Sequence, residues 1–318
     1  MSKILVTGAT GFIGRRLCRA LVDRGDEVIA AVREESRTHV LPPQVRCITV
    51  GEIGPQTHWG PALLNDIDYV AHLAAKVHLL HDDSRNPAEE FHRVNVLGTK
   101  RLAEAVMQRV KRFVYVSSLH AMCSLHAEIL NEESDCQPDT PYGQSKLEAE
   151  DVLKNIGDES PMEITVLRPP PVYGPGQLGN LLRLFQAVRN GWPLPLGRLR
   201  NQRSLVYVEN LVDVLGKCIH HPKAAGETFL VNDGENISIS QLLKKTGFAL
   251  DKPAKLIPAP KFLMKLAGRV TGKSSAVDRL LGSLAVDSSK IRDALDWNPR
   301  YSLEDGLKAT AKWLRAAA

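Results

Sequence analysis

A tyrosine and a lysine four residues apart, Tyr142 and Lys146, are the side chains best suited to chemistry in this sequence. Residues at this spacing share one face of a helix, so the phenol and the ammonium would project into one site. A free tyrosine has a pKa of about 10, too high for a base at neutral pH, and a nearby cation favours the phenolate. The spacing therefore predicts acid–base chemistry at Tyr142, with Lys146 lowering the pKa of the phenol.

Two serines, Ser117 and Ser118, end an apolar run that predicts a strand over 112–117. Side chains at the carboxyl end of a parallel strand face the ligand crevice. We expect Ser118 to hydrogen-bond the reacting oxygen beside Tyr142 and Ser117 to lie nearer a cofactor. Alone, such a serine would serve as a cap for the next helix.

A glycine-rich segment, VTGATGFIG over 6–14, joins the first predicted strand to the first predicted helix. Its glycines permit a tight turn, and the helix N-terminus offers unpaired N–H groups to a pyrophosphate. The position after a strand and before a helix distinguishes it from an ordinary glycine turn. The sequence thus predicts a dinucleotide site formed by Gly8, Thr10, Gly11, Phe12, Ile13 and Gly14.

The choice of dinucleotide depends on the end of the second predicted strand, over 27–32. An acidic residue there would hold the ribose 2′-hydroxyl of NAD, whereas an arginine accommodates the 2′-phosphate of NADP. Val32 stands where an acid is expected, and Arg33 follows it. These residues favour NADP. NAD remains the alternative if Glu34 reaches the ribose.

These groups need a scaffold, and the first half of the chain supplies a regular alternation of strand-like and helix-like segments. Such alternation predicts an α/β fold, a doubly wound parallel (Rossmann) sheet covered by helices on both faces. Beyond residue 168 the chain becomes rich in proline and glycine and then mostly helical. We expect a dinucleotide-binding domain over 1–168 and 203–235, and a smaller, mostly helical substrate domain over 169–202 and 236–318.

Composition narrows the function classes. The 318 residues carry 41 Lys and Arg against 36 Asp and Glu, a net charge of +5 without long runs of one sign. Nucleic acid is therefore a poor partner, and a small polyanion is a better one. Neither an 18-residue uncharged apolar stretch nor a signal peptide is apparent, and the five scattered cysteines read as reduced thiols. We expect a cytoplasmic protein without a metal site, although His78 with His81 and His220 with His221 have suggestive spacings.

Together, the glycine loop, the serine-ended strand and the Tyr142–Lys146 pair resemble the extended short-chain dehydrogenase/reductase family of NAD(P)-dependent nucleotide-sugar enzymes. The resemblance covers almost the whole chain. It includes HLAA at 72–75, NVLGT at 95–99, LRPPPVYGPG at 167–176 and RSLVYVENL at 203–211. Within the family the chain looks most like the UDP-sugar 4-epimerases and 4-keto-sugar reductases of bacterial surface-polysaccharide pathways.

The resemblance implies site residues. Ser118, Tyr142 and Lys146 match the family's catalytic residues, and Arg203 matches its pyrophosphate-binding arginine, with Arg279 as a looser second candidate. Cofactor positions are implied at Leu73, Ala74, Ala75, Asn95 and Pro169, and substrate positions at Asn180, Leu181, Leu194 and Leu196.

The expected reaction is NADPH-dependent reduction of a UDP-4-keto sugar, because Arg33 favours NADP. The alternative is a 4-epimerase of UDP-glucose or UDP-N-acetylglucosamine with bound NAD. An alternative that is not an enzyme is a non-catalytic NADP-binding scaffold or sensor. A dehydratase would need an acidic pair after the catalytic hydroxyl, where this chain has Leu119 and His120. Family members often form homodimers through helices like those predicted over 87–108 and 142–156, so a homodimer is implied.

A basic stretch with apolar positions, PKFLMKLAGRVTGK over 260–273, allows two interpretations. It could lie on anionic lipid as an amphipathic helix. The commoner explanation, which we favour, is a helix of the substrate domain packed against its neighbours.

Overall fold

The computed structural model describes residues 1–60, 64–77 and 86–316. Within these residues, seven parallel strands form one sheet in the order β3-β2-β1-β4-β5-β7-β11. Its strands are β1 (Lys3–Thr7), β2 (Glu27–Val32), β3 (Arg46–Thr49), β4 (Tyr69–His72), β5 (Arg112–Val116), β7 (Glu163–Arg168) and β11 (Thr228–Leu230). This confirms the predicted doubly wound α/β fold.

The described helices are α1 (Gly14–Asp23), α2 (Pro87–Phe91), α3 (Gly98–Val106), α4 (Pro141–Asp158), α5 (Asn180–Asn190), α6 (Val208–His220), α7 (Ile239–Ala249), α8 (Lys261–Val270), α9 (Ser274–Leu281), α10 (Ser289–Leu295) and α11 (Leu303–Ala316). Short strands outside the sheet are β6 (Ile129–Leu130), β8 (Val172–Tyr173), β9 (Arg203–Ser204), β10 (Val206–Tyr207), β12 (Asn236–Ile237) and β13 (Ala285–Val286).

The sheet is buried on both faces because successive side chains of each strand point to opposite sides. Ile4 and Val6 of β1 pack with α1 and α6 in one apolar cluster, whereas Leu5 packs with α3 and α4 in another. Strands covered on both faces in this way consist almost entirely of apolar residues. The layers bring the carboxyl ends of β1, β4 and β5 to one edge of the sheet, where the predicted site residues lie.

A third apolar cluster joins α5, α7 and α11 beside the sheet. It also includes Tyr207 at the end of β10 and Val208 at the start of α6, so the chain passes between the sheet layers and this cluster more than once. The domain boundaries proposed from the sequence stay a prediction.

The helix predicted over 87–108 is interrupted. Between α2 and α3 the chain forms a π-helix over His92–Leu97, with one wider turn. Such turns occur often at functional sites, and this one contains Asn95. The implied homodimer through this region and α4 stays a prediction.

The interpretation of 260–273 as a helix packed against its neighbours is wrong for most of its apolar positions. In α8 only Met264 and Gly268 are buried, and the larger apolar side chains are exposed. An amphipathic pattern shows that a helix has an apolar face but does not show what covers that face.

In the part of the chain that the structure describes, no helix is long and apolar enough to cross a membrane. The five cysteines are free thiols. Over the same described ranges, no group of three or more His, Cys, Asp or Glu side chains could hold a metal ion. His78 and His81 lie outside the described residues.

Candidate functional site

The glycine loop lies directly against the backbone that follows β4. Gly8 has φ of +65°, and an added Cβ would lie only 2.8 Å from the amide nitrogen of Ala74. A Cβ on Gly14 would collide with the carbonyl of Gly8. Glycine is therefore required for the left-handed conformation at the first position and for close approach at the second.

The N-terminus of α1 is open to an anion. Ile13 precedes the helix without a side-chain cap, and the first turn holds no acidic residue. Its backbone N–H groups and the helix dipole thus favour a pyrophosphate beside Thr10, Phe12 and the loop glycines. The donor set and the close-packed cradle fit a dinucleotide.

A buried polar network holds this loop in place. The His72 ring contacts the Thr7 hydroxyl at 2.7 Å and the Thr99 hydroxyl at 2.9 Å, and Ala74 donates its N–H to Thr7 over 3.2 Å. Burial lowers the pKa of His72 to about 3, so the ring stays neutral. The network ties β1, β4 and α3 together under the segment containing Leu73, Ala74 and Ala75.

Asn95 is a positioning residue. Its side-chain oxygen accepts from the Lys76 N–H over 2.8 Å, and its amide donates to the Lys76 carbonyl over 3.1 Å and to the Ser145 hydroxyl over 3.0 Å. The π-helix thus clamps the loop after β4 onto α4. A direct cofactor contact by Asn95 stays a prediction.

The serine, tyrosine and lysine predicted from sequence come together where β5 ends and α4 begins. Gly143 packs so closely on the His120 carbonyl that no Cβ would fit there, which holds the first turn of α4 on the segment after Ser118. The Thr140 hydroxyl caps this turn by accepting from Gly143 over 3.0 Å. Ser118 also serves as the cap considered from the sequence, since its oxygen accepts the N–H of His120 over 3.2 Å.

The ammonium of Lys146 is fully buried. It donates to the Val116 carbonyl over 2.8 Å and lies 4.0 Å from the centroid of the Tyr115 ring. Burial lowers the pKa of Lys146 to about 7, and the Glu150 carboxylate acts weakly against this. Lys146 is therefore less readily protonated than an ordinary lysine.

The expected lowering of the Tyr142 pKa by Lys146 is wrong for the protein alone. Burial raises the pKa of Tyr142 to about 12, and hydrogen bonding with Ser118 opposes the rise. A buried phenolate loses hydration, and this loss is larger than the gain from its hydrogen bond with Ser118. The phenol ring packs edge-on to Phe91 and His120.

Sequence analysis did not identify Glu150. This buried carboxylate accepts from the Ser117 hydroxyl and from Arg168, whose Nη2 lies 2.6 Å from Oε2. Ser117 is therefore oriented by α4. The signal was available, because Tyr142, Lys146 and Glu150 recur every four residues on one helix face.

A second charged group acts on His120, whose ring packs against Tyr142. Arg203 is half-buried, its Nη1 has no hydrogen-bond partner among the described residues, and burial lowers its pKa. Burial also lowers the pKa of His120, with the positive charges of Arg203 and Arg279 adding to the effect. Both arginines thus act electrostatically on the group beside Tyr142. A buried donor without a partner is costly unless a ligand supplies the acceptor.

The remaining predicted positions lie in different surroundings. Pro169 is buried and accepts the Leu119 N–H over 2.9 Å, next to the serines. Asn180 is exposed at the uncapped start of α5, Leu181 is half-buried beside it, and Leu194 pairs through its backbone with Lys255 and Ile257.

Two predictions need correction at this point. The Leu196 side chain is 2 % exposed and belongs to the third apolar cluster, so it does not line a pocket. Arg33 was expected to face the 2′-phosphate of NADP. Its side chain instead projects into solvent, and its Nη2 lies 3.9 Å from Oε1 of the Glu52 carboxylate.

Comparisons with known proteins agree with this geometry. The model of the NAD dependent epimerase/dehydratase family matches residues 4–232. A UDP-glucose 4-epimerase of Vibrio cholerae is 39 % identical over 97 % of this chain and 94 % of its own. An N-acetyl-alpha-D-glucosaminyl-diphospho-ditrans,octacis-undecaprenol 4-epimerase of Escherichia coli O157:H7 is 26 % identical over 98 % of this chain and 94 % of its own.

A solved structure, MoeE5 in complex with UDP-glucose and NAD, superposes with a TM-score of 0.79 at 26 % identity and covers 99 % of both chains. The glycine cradle, the serine-ended strand and the tyrosine–lysine helix thus occur in a chain whose similarity to these enzymes extends over nearly its full length. The chain belongs to the NAD dependent epimerase/dehydratase family of enzymes.

Proposed function

We propose that the protein is a UDP-hexose 4-epimerase that retains bound NAD, with UDP-glucose or UDP-N-acetylglucosamine as substrate. The observation that carries the proposal is the buried Nη1 of Arg203, which has no hydrogen-bond partner among the described residues and belongs to a guanidinium whose charge acts on His120, next to Tyr142. A guanidinium in this position suits two oxygens of a diphosphate. A nucleotide sugar anchored there would extend toward the phenol.

Support for NAD rather than NADP comes from the end of β2. Arg33 favoured NADP in the sequence, but its guanidinium lies beside Glu52, and Glu52 also accepts from Arg93 over 2.9 Å. Glu52 would thus compete with a 2′-phosphate for the Arg33 guanidinium. The solved relative MoeE5 holds NAD.

The chain's own residues have distinct roles in this proposal. In the proposal, the glycine loop and the N-terminus of α1 would hold the pyrophosphate, and Lys146 would bind the nicotinamide ribose. Bound NAD supplies reversible two-electron oxidation at C4 of the sugar. Tyr142 takes the proton of the 4-hydroxyl, and Ser118 donates a hydrogen bond that positions the same oxygen.

The high pKa of Tyr142 suits a group that must return its proton. A phenol of pKa about 12 is a strong base once ionised and holds the proton between the two halves of the reaction. The positive charge of the oxidised nicotinamide favours the phenolate, which gives a physical reason for ionisation only in the loaded enzyme. After the 4-keto sugar rotates in the site, Tyr142 and Ser118 act at C4 on its opposite face.

The reductase first expected from Arg33 has less support. Its sequence argument was the NADP preference, and a curated relative that is 39 % identical is a 4-epimerase. Elimination of water has no support at the position after Ser118, because Leu119 is a buried core residue.

The experiment identifies the nucleotide released on denaturing the purified protein and then supplies UDP-glucose without added cofactor. We expect the denatured protein to release NAD and the native protein to form UDP-galactose. Consumption of NADPH with a UDP-4-keto sugar, and no interconversion of UDP-hexoses, would establish the reductase instead. Binding of the nucleotide without either activity would favour the scaffold.

A further inference from the structure

Helix α8 presents an apolar face to solvent. Four of the twelve large apolar side chains that are exposed in the described residues lie on this helix: Phe262, Leu263, Leu266 and Val270. At 100° per residue they occupy one side of the helix, opposite the buried Met264 and Gly268. Val270 is 80 % exposed and Phe262 67 %.

Positive charge flanks this face. Between residues 261 and 281 the chain carries Lys261, Lys265, Arg269, Lys273 and Arg279 against the single acid Asp278, a net charge of +4. Lys265 lies 3.6 Å from Asp278, so one positive charge is partly neutralised. An apolar stripe beside a basic one is the pattern of a helix that lies in the plane of a membrane interface.

Helix α8 packs on α9, the helix that carries Arg279. Gly268 packs on the side chain of Val277 in α9, where a Cβ would lie 2.9 Å from Val277 Cγ2. On α9, Arg279 acts electrostatically on His120. The α8–α9 pair thus carries both the exposed apolar face and an arginine whose charge acts on His120.

We propose that α8 docks on an anionic phospholipid surface, with its apolar face inserted at the headgroup level and its basic residues against the lipid phosphates. Charge complementarity selects this occupant, since a second copy of the chain would bring the same net positive charge against itself. The inference does not depend on which sugar nucleotide the enzyme uses.

The test is co-sedimentation of the whole protein with vesicles of phosphatidylcholine, with or without phosphatidylglycerol. We expect binding only to the anionic vesicles, weakening as salt rises. Replacing apolar or basic residues should reduce partitioning at least about tenfold. The apolar variant combines Phe262→Gln, Leu266→Gln and Val270→Gln, and the basic variant combines Lys261→Gln, Arg269→Gln and Lys273→Gln.

The matched control is Phe248→Gln, an equally exposed aromatic on α7, which should bind vesicles like the wild type. Circular dichroism and activity on soluble substrate establish that each variant folds. The proposal is overturned if the wild-type protein does not bind anionic vesicles. It is also overturned if the apolar variant binds them as strongly as the wild type. A wild-type dimer that the apolar variant converts to monomer, without vesicle binding, would assign the face to a second copy.

Discussion

The ammonium of Lys146 donates a hydrogen bond to the carbonyl of Val116 over 2.8 Å, and this bond joins the middle of α4 to the last residue of β5. The same ammonium lies over the ring of Tyr115, the residue before Val116. It therefore fixes the strand end from which Ser117 and Ser118 extend. In the protein alone, its hydrogen bond goes to this strand end rather than to the phenolate of Tyr142.

Replacing Lys146 should change how stability depends on pH. Burial lowers the pKa of Lys146 to about 7, whereas the unfolded chain keeps this proton to about pH 10. Between about pH 7 and pH 10 the unfolded state therefore binds more protons than the folded state, so the free energy of unfolding rises with pH. Below about pH 7 both states are protonated, and the cost of burying the cation is fully present. In nucleotide-free protein we expect Lys146→Met to stabilise the fold by about 1–3 kcal/mol at acidic pH, with the gain shrinking toward alkaline pH.

Urea unfolding across this pH range measures the effect. Lys154→Met, at an exposed position of the same helix, is the matched control and should leave the pH profile as it is. A Lys146→Met profile parallel to that of the wild type would contradict the assigned burial penalty.

The Arg168–Glu150 pair should be costly to break from one side. Arg168→Met leaves a buried carboxylate with only the Ser117 hydroxyl, and we expect a loss of about 3–5 kcal/mol in the free energy of unfolding. Adding Glu150→Gln should restore most of this loss, because the carboxylate left without its arginine is then neutral.

The exposed pair Lys245–Glu304 gives the comparison, where Lys245→Met should cost under about 1 kcal/mol. Equal losses at the two pairs would show that burial does not set the cost.

Tyr142→Phe should remove catalysis and leave nucleotide binding. Loss of the proton-transferring group predicts a fall in kcat of about 10²–10⁴, with unchanged nucleotide content in the purified protein. Tyr301→Phe, which alters an exposed tyrosine, is the control. Turnover by Tyr142→Phe close to that of the wild type would remove the phenol from its proposed role.

Arg203→Gln should weaken binding of UDP by about 10–100-fold in calorimetry, because a charge-assisted bond in a buried site is lost. Arg203→Lys should be intermediate, since an ammonium lacks the planar fork. Arg203→Gln should not be less stable than the wild type when free of ligand, because the unpartnered buried guanidinium is then removed. Arg300→Gln breaks a surface pair with Asp213 and serves as control. Unaltered UDP affinity in Arg203→Gln would place the diphosphate elsewhere.

The sequence was informative where local chemistry determines position. Gly8 and Gly14 predict a close-packed turn because only glycine fits there, and the spacing of Tyr142 and Lys146 predicts a shared helix face. The strand predicted over 27–32 is found as β2, because the sheet buries its apolar run on both faces.

Long-range contacts determine the rest. The pKa of Tyr142 depends on burial by Phe91 and His120, which are distant in sequence, and the surroundings of Arg33 depend on Glu52 after another strand. Leu196 lies in a proline-rich loop and is buried in the core, whereas most apolar residues of α8 form a regular helical face and are exposed. A pattern identifies a face, and only the packing of other elements determines whether it is covered.

The most direct measurement follows the reaction of UDP-glucose by proton NMR in D₂O, with purified protein and no added cofactor. The account predicts UDP-galactose whose C4 hydrogen is protium, because only the hydroxyl proton passes through Tyr142 and exchanges with solvent. Deuterium at C4 of the product, or no UDP-hexose interconversion by the NAD-loaded wild type, would contradict it.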